Sequence, residues 1–161
     1  MQKYVFDTNA YNRLLDDDLN LIGTEHEIII YGSHIQLREL KATKECKRRE
    51  ALLSVFHATT DTCLKTESMV FPIEFGSTKF GDETYNNIRN ELDTESNKLE
   101  RRRRKGKLKN NPNDAQIGET AIKNGCTLVT DDPELLMVVS NRSSKALTYD
   151  EFKEQLRRLH H

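Results

Sequence analysis

The stretch Cys126-Thr127-Leu128-Val129-Thr130-Asp131-Asp132-Pro133 decides the fold. Its first five residues are rich in β-branched and apolar side chains and read as a short, buried strand. Two carboxylates stand at its carboxyl end. Pro133 then falls in the first turn of a helix, where a missing N–H costs nothing. Upstream, Gly125 marks the stop of the preceding helix. The opening of the chain repeats the arrangement. Lys3-Tyr4-Val5-Phe6 reads as a buried strand ending at Asp7, and residues 10–15 as a short helix with Asn9 near its start.

Between these two units the pattern keeps alternating. Glu27-Ile28-Ile29-Ile30-Tyr31 is a second β-branched run, and Ser33 suits the N-cap of a helix carrying Ile35, Leu37 and Leu40. Residues 44–58 are helical, with Ala51, Leu52, Val55 and Phe56 on one face. Met69-Val70-Phe71-Pro72-Ile73 reads as a strand that Pro72 confines to an edge or an end. Asp82 is placed to cap a long polar helix over 83–105, with Tyr85, Ile88, Leu92 and Leu99 as a thin apolar stripe. A polar break follows, with Pro112 ending any helix there. Asn113 or Asp114 then caps a helix bearing Ile117, Ala121 and Ile122. Ala146-Leu147-Thr148-Tyr149 reads as a last strand and 150–159 as an amphipathic helix. Strands alternating with helices specify an α/β fold. The expectation is three layers, α/β/α, around a mostly parallel sheet of about five strands. It forms one domain over 1–159, with a polar insertion around 76–112.

A chain of 161 residues, 35% hydrophobic and 32% charged, suits one modest core under a charged surface. No apolar run is long enough to span a bilayer. The first residues lack the apolar region of a secretory signal, so a cytoplasmic protein is expected. Cys46, Cys63 and Cys126 are too scattered for a zinc site or a disulfide framework and are expected as small buried or half-buried side chains. His160 and His161 read as the start of a purification tag. The formal net charge is −1, which conceals an uneven distribution. Arg101, Arg102, Arg103, Arg104 and Lys105 form a basic run suited to gripping phosphates, or equally to a solvated helix face.

Ligands of parallel α/β sheets bind beyond the carboxyl ends of the strands. Here those ends carry acid: Asp7 after the first strand, Asp131 and Asp132 after the fourth. Asp114 opens the helix before the latter, and Glu39 lies on an early helix. Carboxylates gathered together repel by on the order of 4 kcal/mol per pair at 4 Å and an effective dielectric near 20. An oxygen-only donor set is the natural site of a hard divalent cation, Mg²⁺ or Mn²⁺. The blander reading makes each acid a helix cap or a solvated loop residue; Asp114 suits an N-cap well.

These segments resemble a known family. Val5-Phe6-Asp7-Thr8-Asn9 is similar to the opening motif of PIN-domain nucleases. Leu37-Arg38-Glu39-Leu40 resembles the second acidic position of that family. Asn113-Asp114-Ala115-Gln116-Ile117, running on to Gly125, resembles the third block, and Leu128-Val129-Thr130-Asp131-Asp132-Pro133-Glu134-Leu135 the closing one, a strand ending Thr-x-Asp. The resemblance covers residues 4–136. It implies a metal-dependent endoribonuclease with Asp7, Glu39, Asp114 and Asp132 as catalytic acids. Asp7, Asp114 and Asp132 would hold Mg²⁺ or Mn²⁺, and Glu39 would hold metal or orient the attacking water. Asn9 and Thr130 would fix the carboxylates. Asp131 is a further candidate, at the variable position of the closing motif. The bacterial branch includes VapBC-type toxins, which implies RNA cleavage leaving 5′-phosphate and 3′-hydroxyl ends, an antitoxin partner, and a homodimer.

Three other readings compete. A phosphatase of the haloacid-dehalogenase type wants Asp-x-Asp after the first strand, whereas this chain has Asp7-Thr8-Asn9. A PIN-like module could hold RNA or a protein without cutting. A related nuclease could act on branched or flapped DNA.

Overall fold

The computed structural model describes residues 1–17, 19, 21, 24, 26–64, 83–100, 111–142 and 145–159, with the backbone alone for 96–100 and 111. Five strands are described: β1 (Gln2–Phe6), β2 (Ile28–Ser33), β3 (Thr62–Leu64), β4 (Thr127–Val129) and β5 (Ala146–Leu147). They form one sheet in the order β3-β2-β1-β4-β5, and every pairing is parallel. Seven helices are described: α1 (Thr8–Asp16), α2 (His34–Lys41), α3 (Cys46–Thr59), α4 (Glu83–Glu100), α5 (Asn111–Lys123), α6 (Pro133–Ser140) and α7 (Tyr149–Leu159).

Strand side chains alternate between faces, and β1 shows what that does. Tyr4 and Phe6 enter a core packed by α1, α3 and α7, through Tyr11, Leu14, Leu52, Phe56 and Phe152. Val5, between them, enters a second core packed by α4, α5 and α6, through Ile88, Leu92, Ile117, Leu135 and Val139. The sheet is therefore covered on both sides, which makes three layers. The first core is aromatic. Phe6 packs edge-on against Phe152 at 4.9 Å and beside Tyr11 at 5.5 Å between ring centres. Each such ring, fully buried, contributes roughly 1.5–3 kcal/mol.

The strand order carries the functional geometry. From β1 the chain steps outward through β2 to β3, then returns to the other side of β1 for β4 and β5. The carboxyl ends of β1 and β4 therefore flank a topological switch point. There Asp7 N donates to Val129 O at 2.9 Å.

Several local expectations meet their elements. Ser33 caps α2 in a reciprocal arrangement with Gln36. Gly125 takes a positive φ of 61° just beyond α5, and Asp132 caps α6 with Pro133 behind it. A short strand that the sequence did not signal, Thr62–Leu64, is hydrogen-bonded to the end of β2. The strand expected at 69–73 and the proposed cap Asp82 lie outside the described residues. Other expectations need correction. Pro112 sits at the start of α5 instead of ending a helix, and Asn113 and Asp114 fall inside its first turn instead of capping it. Proline's fixed φ suits that turn. Cys46 and Cys63 are exposed; Cys126 is buried. Residues 76–82 and 101–110 of the proposed 76–112 insertion, with His160 and His161, also lie outside the described residues, while 83–100 form α4. Among the described residues no helix is long and apolar enough to cross a membrane.

Candidate active site

Asp7 ends β1 and caps α1, its backbone extended and its carboxylate accepting from Thr8 N at 2.7 Å. The other carboxylate oxygen, Oδ2, accepts from Asn9 Nδ2 at 2.6 Å and from the Thr130 hydroxyl at 2.8 Å. Thr130, wholly buried at the end of β4, uses its full capacity of one donor and two acceptor sites. It accepts from Asn9 Nδ2 at 3.2 Å and from Asp132 N at 3.0 Å. The Asn9 amide has one orientation that satisfies its surroundings. Its oxygen accepts from Asp131 N at 3.1 Å, so its nitrogen must face Asp7 and Thr130. Asn9 and Thr130 thus hold the Asp7 carboxylate in place.

Asp132 caps α6, with Oδ1 accepting from Glu134 N at 2.8 Å and Leu135 N at 3.1 Å. Two helix N-termini, those of α1 and α6, therefore meet at the switch point, each with an aspartate on it. That placement favours the negative charge. Glu39, in the last turn of α2, takes a hydrogen bond from the Thr8 hydroxyl on Oε2. On Oε1 it takes one from Asn113 Nδ2 at 2.6 Å. Asp114 is half-buried in the first turn of α5, adjacent in sequence to that Asn113.

Burial pushes the Asp7 carboxyl up to about 6, against the pull of its bonds to Thr130 and Thr8; the negative charges of Glu39 and Asp132 push the same way. Asp7 thus lies within electrostatic reach of both acids. Asp131 is engaged elsewhere. Its Oδ2 pairs with Arg13 at 3.0 Å and its Oδ1 accepts from Tyr149 N at 3.0 Å, at the start of α7.

Thr8, Arg38 and Asn113 are the residues that reading acids alone passed over. Thr8 lies between two motif residues, Asn113 precedes Asp114, and Arg38 precedes Glu39; their neighbours were the available signal. The basic run Arg101, Arg102, Arg103, Arg104 and Lys105 lies outside the described residues.

The carboxylates at this end of the sheet offer only oxygen, Asp7 buried and Glu39, Asp114 and Asp132 half-buried, which suits a hard divalent cation. Among the described residues no three His, Cys, Asp or Glu side chains are grouped to hold a metal ion. A cage of direct protein ligands is therefore not preformed. Mg²⁺ commonly keeps several waters and takes only one or two carboxylates directly, a mode that these residues fit.

Known structures give the same architecture. One is PAE2754 from Pyrobaculum aerophilum, at 16% identity, covering 98% of this chain and 98% of that one with a TM-score of 0.56. Another is VapBC2 from Rickettsia felis, bound to a DNA fragment from their promoter, at 18% identity, covering 91% of this chain and 98% of that one with a TM-score of 0.51. The fold is that of the PIN domain. At such identities the likeness establishes the PIN fold and no more. No family model and no curated protein matches the sequence. In the PIN fold of this chain, Asp7 and Asp132 occupy the paired strand ends where an open α/β sheet binds its ligand.

Proposed function

We propose that this chain is a metal-dependent ribonuclease, hydrolysing RNA phosphodiester bonds at the β1/β4 switch point. The carrying observation is the buried Asp7 carboxylate, held by Asn9 and Thr130 within electrostatic reach of Glu39 and Asp132. Asp7, Asp114 and Asp132 would hold Mg²⁺ or Mn²⁺, directly or through water. Such an ion, when bound, lowers the pKa of its water and draws charge from a phosphoryl oxygen. The residues do the rest. Thr130 and Asn9 keep Asp7 ionised and aimed, and the α6 amides fix Asp132. Thr8 and Asn113 hold Glu39 where it can orient the attacking water. Asp131 keeps a structural place in this scheme.

The resemblance to VapBC-type toxins, together with the PIN fold shared with VapBC2, supports a toxin role in the cytoplasm with a small antitoxin bound near the acids. Arg101–Lys105 would add phosphate contacts, and a homodimer is the expected assembly.

The test is cleavage of a labelled single-stranded RNA with Mn²⁺ or Mg²⁺, with and without EDTA. Cleavage should require the ion and vanish in Asp7→Asn and Asp132→Asn. RNA binding without cleavage by the wild type would favour a non-cutting module, and cleavage of flapped DNA alone a DNA nuclease. For the toxin role, induced cells should stop growing with the wild type and grow with Asp7→Ala. Equal growth would remove it.

A further inference from the structure

Arg38 adjoins Glu39 on α2 and is exposed. Its Nη2 donates to Asn113 Oδ1 at 2.9 Å. Asn113 is 8% exposed, and the other end of the same amide donates to Glu39 at 2.6 Å. The guanidinium is thus two hydrogen bonds from a site carboxylate, tethered by a neutral group. Among the described residues its one hydrogen-bond partner is Asn113, out of the five N–H donors of a guanidinium.

Among the described arginines only Arg38 and Arg49 pair with no described carboxylate, and Arg49 turns back on Thr43 O and the Cys46 thiol of its own neighbourhood. Arg13, Arg48, Arg89 and Arg142 each pair with a carboxylate. Arg38 pairs with none among the described residues. Its helix offers none at the usual spacing, since His34 and Lys41 stand four before and three after it. Both are exposed. Arg38 and Lys41 therefore put two cations on the outer face of α2, beside an acidic site.

A polyanion approaching Asp7, Glu39 and Asp132 meets repulsion that a cation at the rim offsets. Arginine's planar fork suits the two oxygens of a phosphate. A buried amide shared with Glu39 makes the position of that fork dependent on the position of the carboxylate. A solvated arginine on an idle helix face would have no such link.

We propose that Arg38 is a substrate-binding residue that grips a backbone phosphate of single-stranded RNA beside the scissile bond, with Asn113 setting its distance from Glu39. The inference rests on the ribonuclease reading above.

The experiment measures binding of a 5′-fluorescein single-stranded RNA by anisotropy, over a range of salt, in the full chain carrying Asp7→Asn. Adding Arg38→Gln should weaken binding roughly tenfold at 0.1 M salt. It should also lower the slope of log affinity against log salt by about 0.7, one single-strand phosphate contact. Arg38→Lys should restore the slope while leaving affinity below the parent. With Mn²⁺ and Asp7 intact, Arg38→Gln should raise KM and change kcat little. Circular dichroism and melting of Arg38→Gln should match the parent, as its side chain is exposed. Unchanged affinity and slope would overturn the proposal, and so would an equal loss in Arg157→Gln on distant α7. In either case cleavage by the wild type would leave the ribonuclease reading standing. A wild type that neither cleaves nor binds RNA would sink both.

Discussion

The Thr130 hydroxyl donates to the Asp7 carboxylate at 2.8 Å, joining residues 123 positions apart across the seam between β4 and β1. Hydrogen bonds to charged groups contribute roughly 1.5–3 kcal/mol, and a buried acceptor left without its donor costs a similar amount. Thr130→Val keeps the shape and removes the donor. At pH 7.5 it should lower the urea-unfolding free energy by about 2–3 kcal/mol, whereas Thr130→Ser should lose less than half of that. Equal stability of the valine variant would mean that the two groups do not meet.

The Asp7 carboxyl, near 3.8 when unfolded, rises to about 6 in the fold, chiefly because burial disfavours its charge. The sign follows from proton uptake. Between those two pH values the folded chain binds the proton more tightly, so this residue's contribution falls as pH climbs from about 4 to about 6. Above that the penalty is complete, on the order of 3 kcal/mol at roughly 1.4 kcal/mol per pH unit. Asp7→Asn carries no such titration. The stability of Asp7→Asn minus that of the wild type should therefore rise by roughly 2 kcal/mol between pH 4 and pH 7, whatever constant offset the amide introduces. Parallel pH profiles for the two proteins would refute the burial of a charged Asp7.

A divalent ion should reverse that penalty. An ion that binds the folded site alone stabilises it by mass action, about 2.7 kcal/mol at a hundredfold excess over Kd. Mn²⁺ should raise the Tm of the wild type at pH 7.5, and leave the Tm of a doubly substituted Asp7→Asn, Asp132→Asn chain unmoved. Matching shifts in both would place the ion elsewhere.

The sequence made the switch point legible because its signals are local. Asp7 and Asp132 each follow an apolar strand directly, and Pro133 and Gly125 punctuate the helices around β4. The third strand was not legible. Thr62-Cys63-Leu64 is too short to show a period of two, and what defines it is pairing with Tyr31, Gly32 and Ser33. Helix α5 was misread at its start because proline ends helices as readily as it begins them. The role of Asn113 escaped for a different reason. Its partners, Arg38 and Glu39, lie 75 and 74 positions away, and no periodicity reports such a contact.

The close packing of β2 on α3 gives a test that works through packing instead of charge. A Cβ on Gly32 would stand 2.7 Å from two ring carbons of Phe56 and 3.0 Å from Thr60 Cγ2. The Phe56 ring is 1% exposed and has no room to retreat. Gly32→Ala should cost about 1–3 kcal/mol through overpacking, measured by urea unfolding. The metal-dependent activity of the folded fraction should be unchanged. A neutral effect on stability would mean that the sheet and α3 are further apart than described.

The closing motif offers two neighbouring aspartates, and the structure gives them different work. Asp131 binds Arg13 of α1 and the first amide of α7, while Arg13 also reaches Asp150 at 2.9 Å and lies over the Tyr149 ring at 5.1 Å. Asp131 thus pins two helices to the end of β4. Because Arg13 and Asp131 are partly exposed, at 38% and 29% of their side chains, solvent screens the pair and its contribution to stability is small. Asp131→Asn keeps an oxygen for the Tyr149 amide and gives up the charge. It should lower stability only slightly and leave cleavage within a few-fold. Asp132→Asn, with its α6 cap largely retained, should instead abolish cleavage at least a hundredfold with little change in stability. Reversal of these two outcomes, measured by kcat and urea unfolding in the same preparations, would exchange the roles of the two residues.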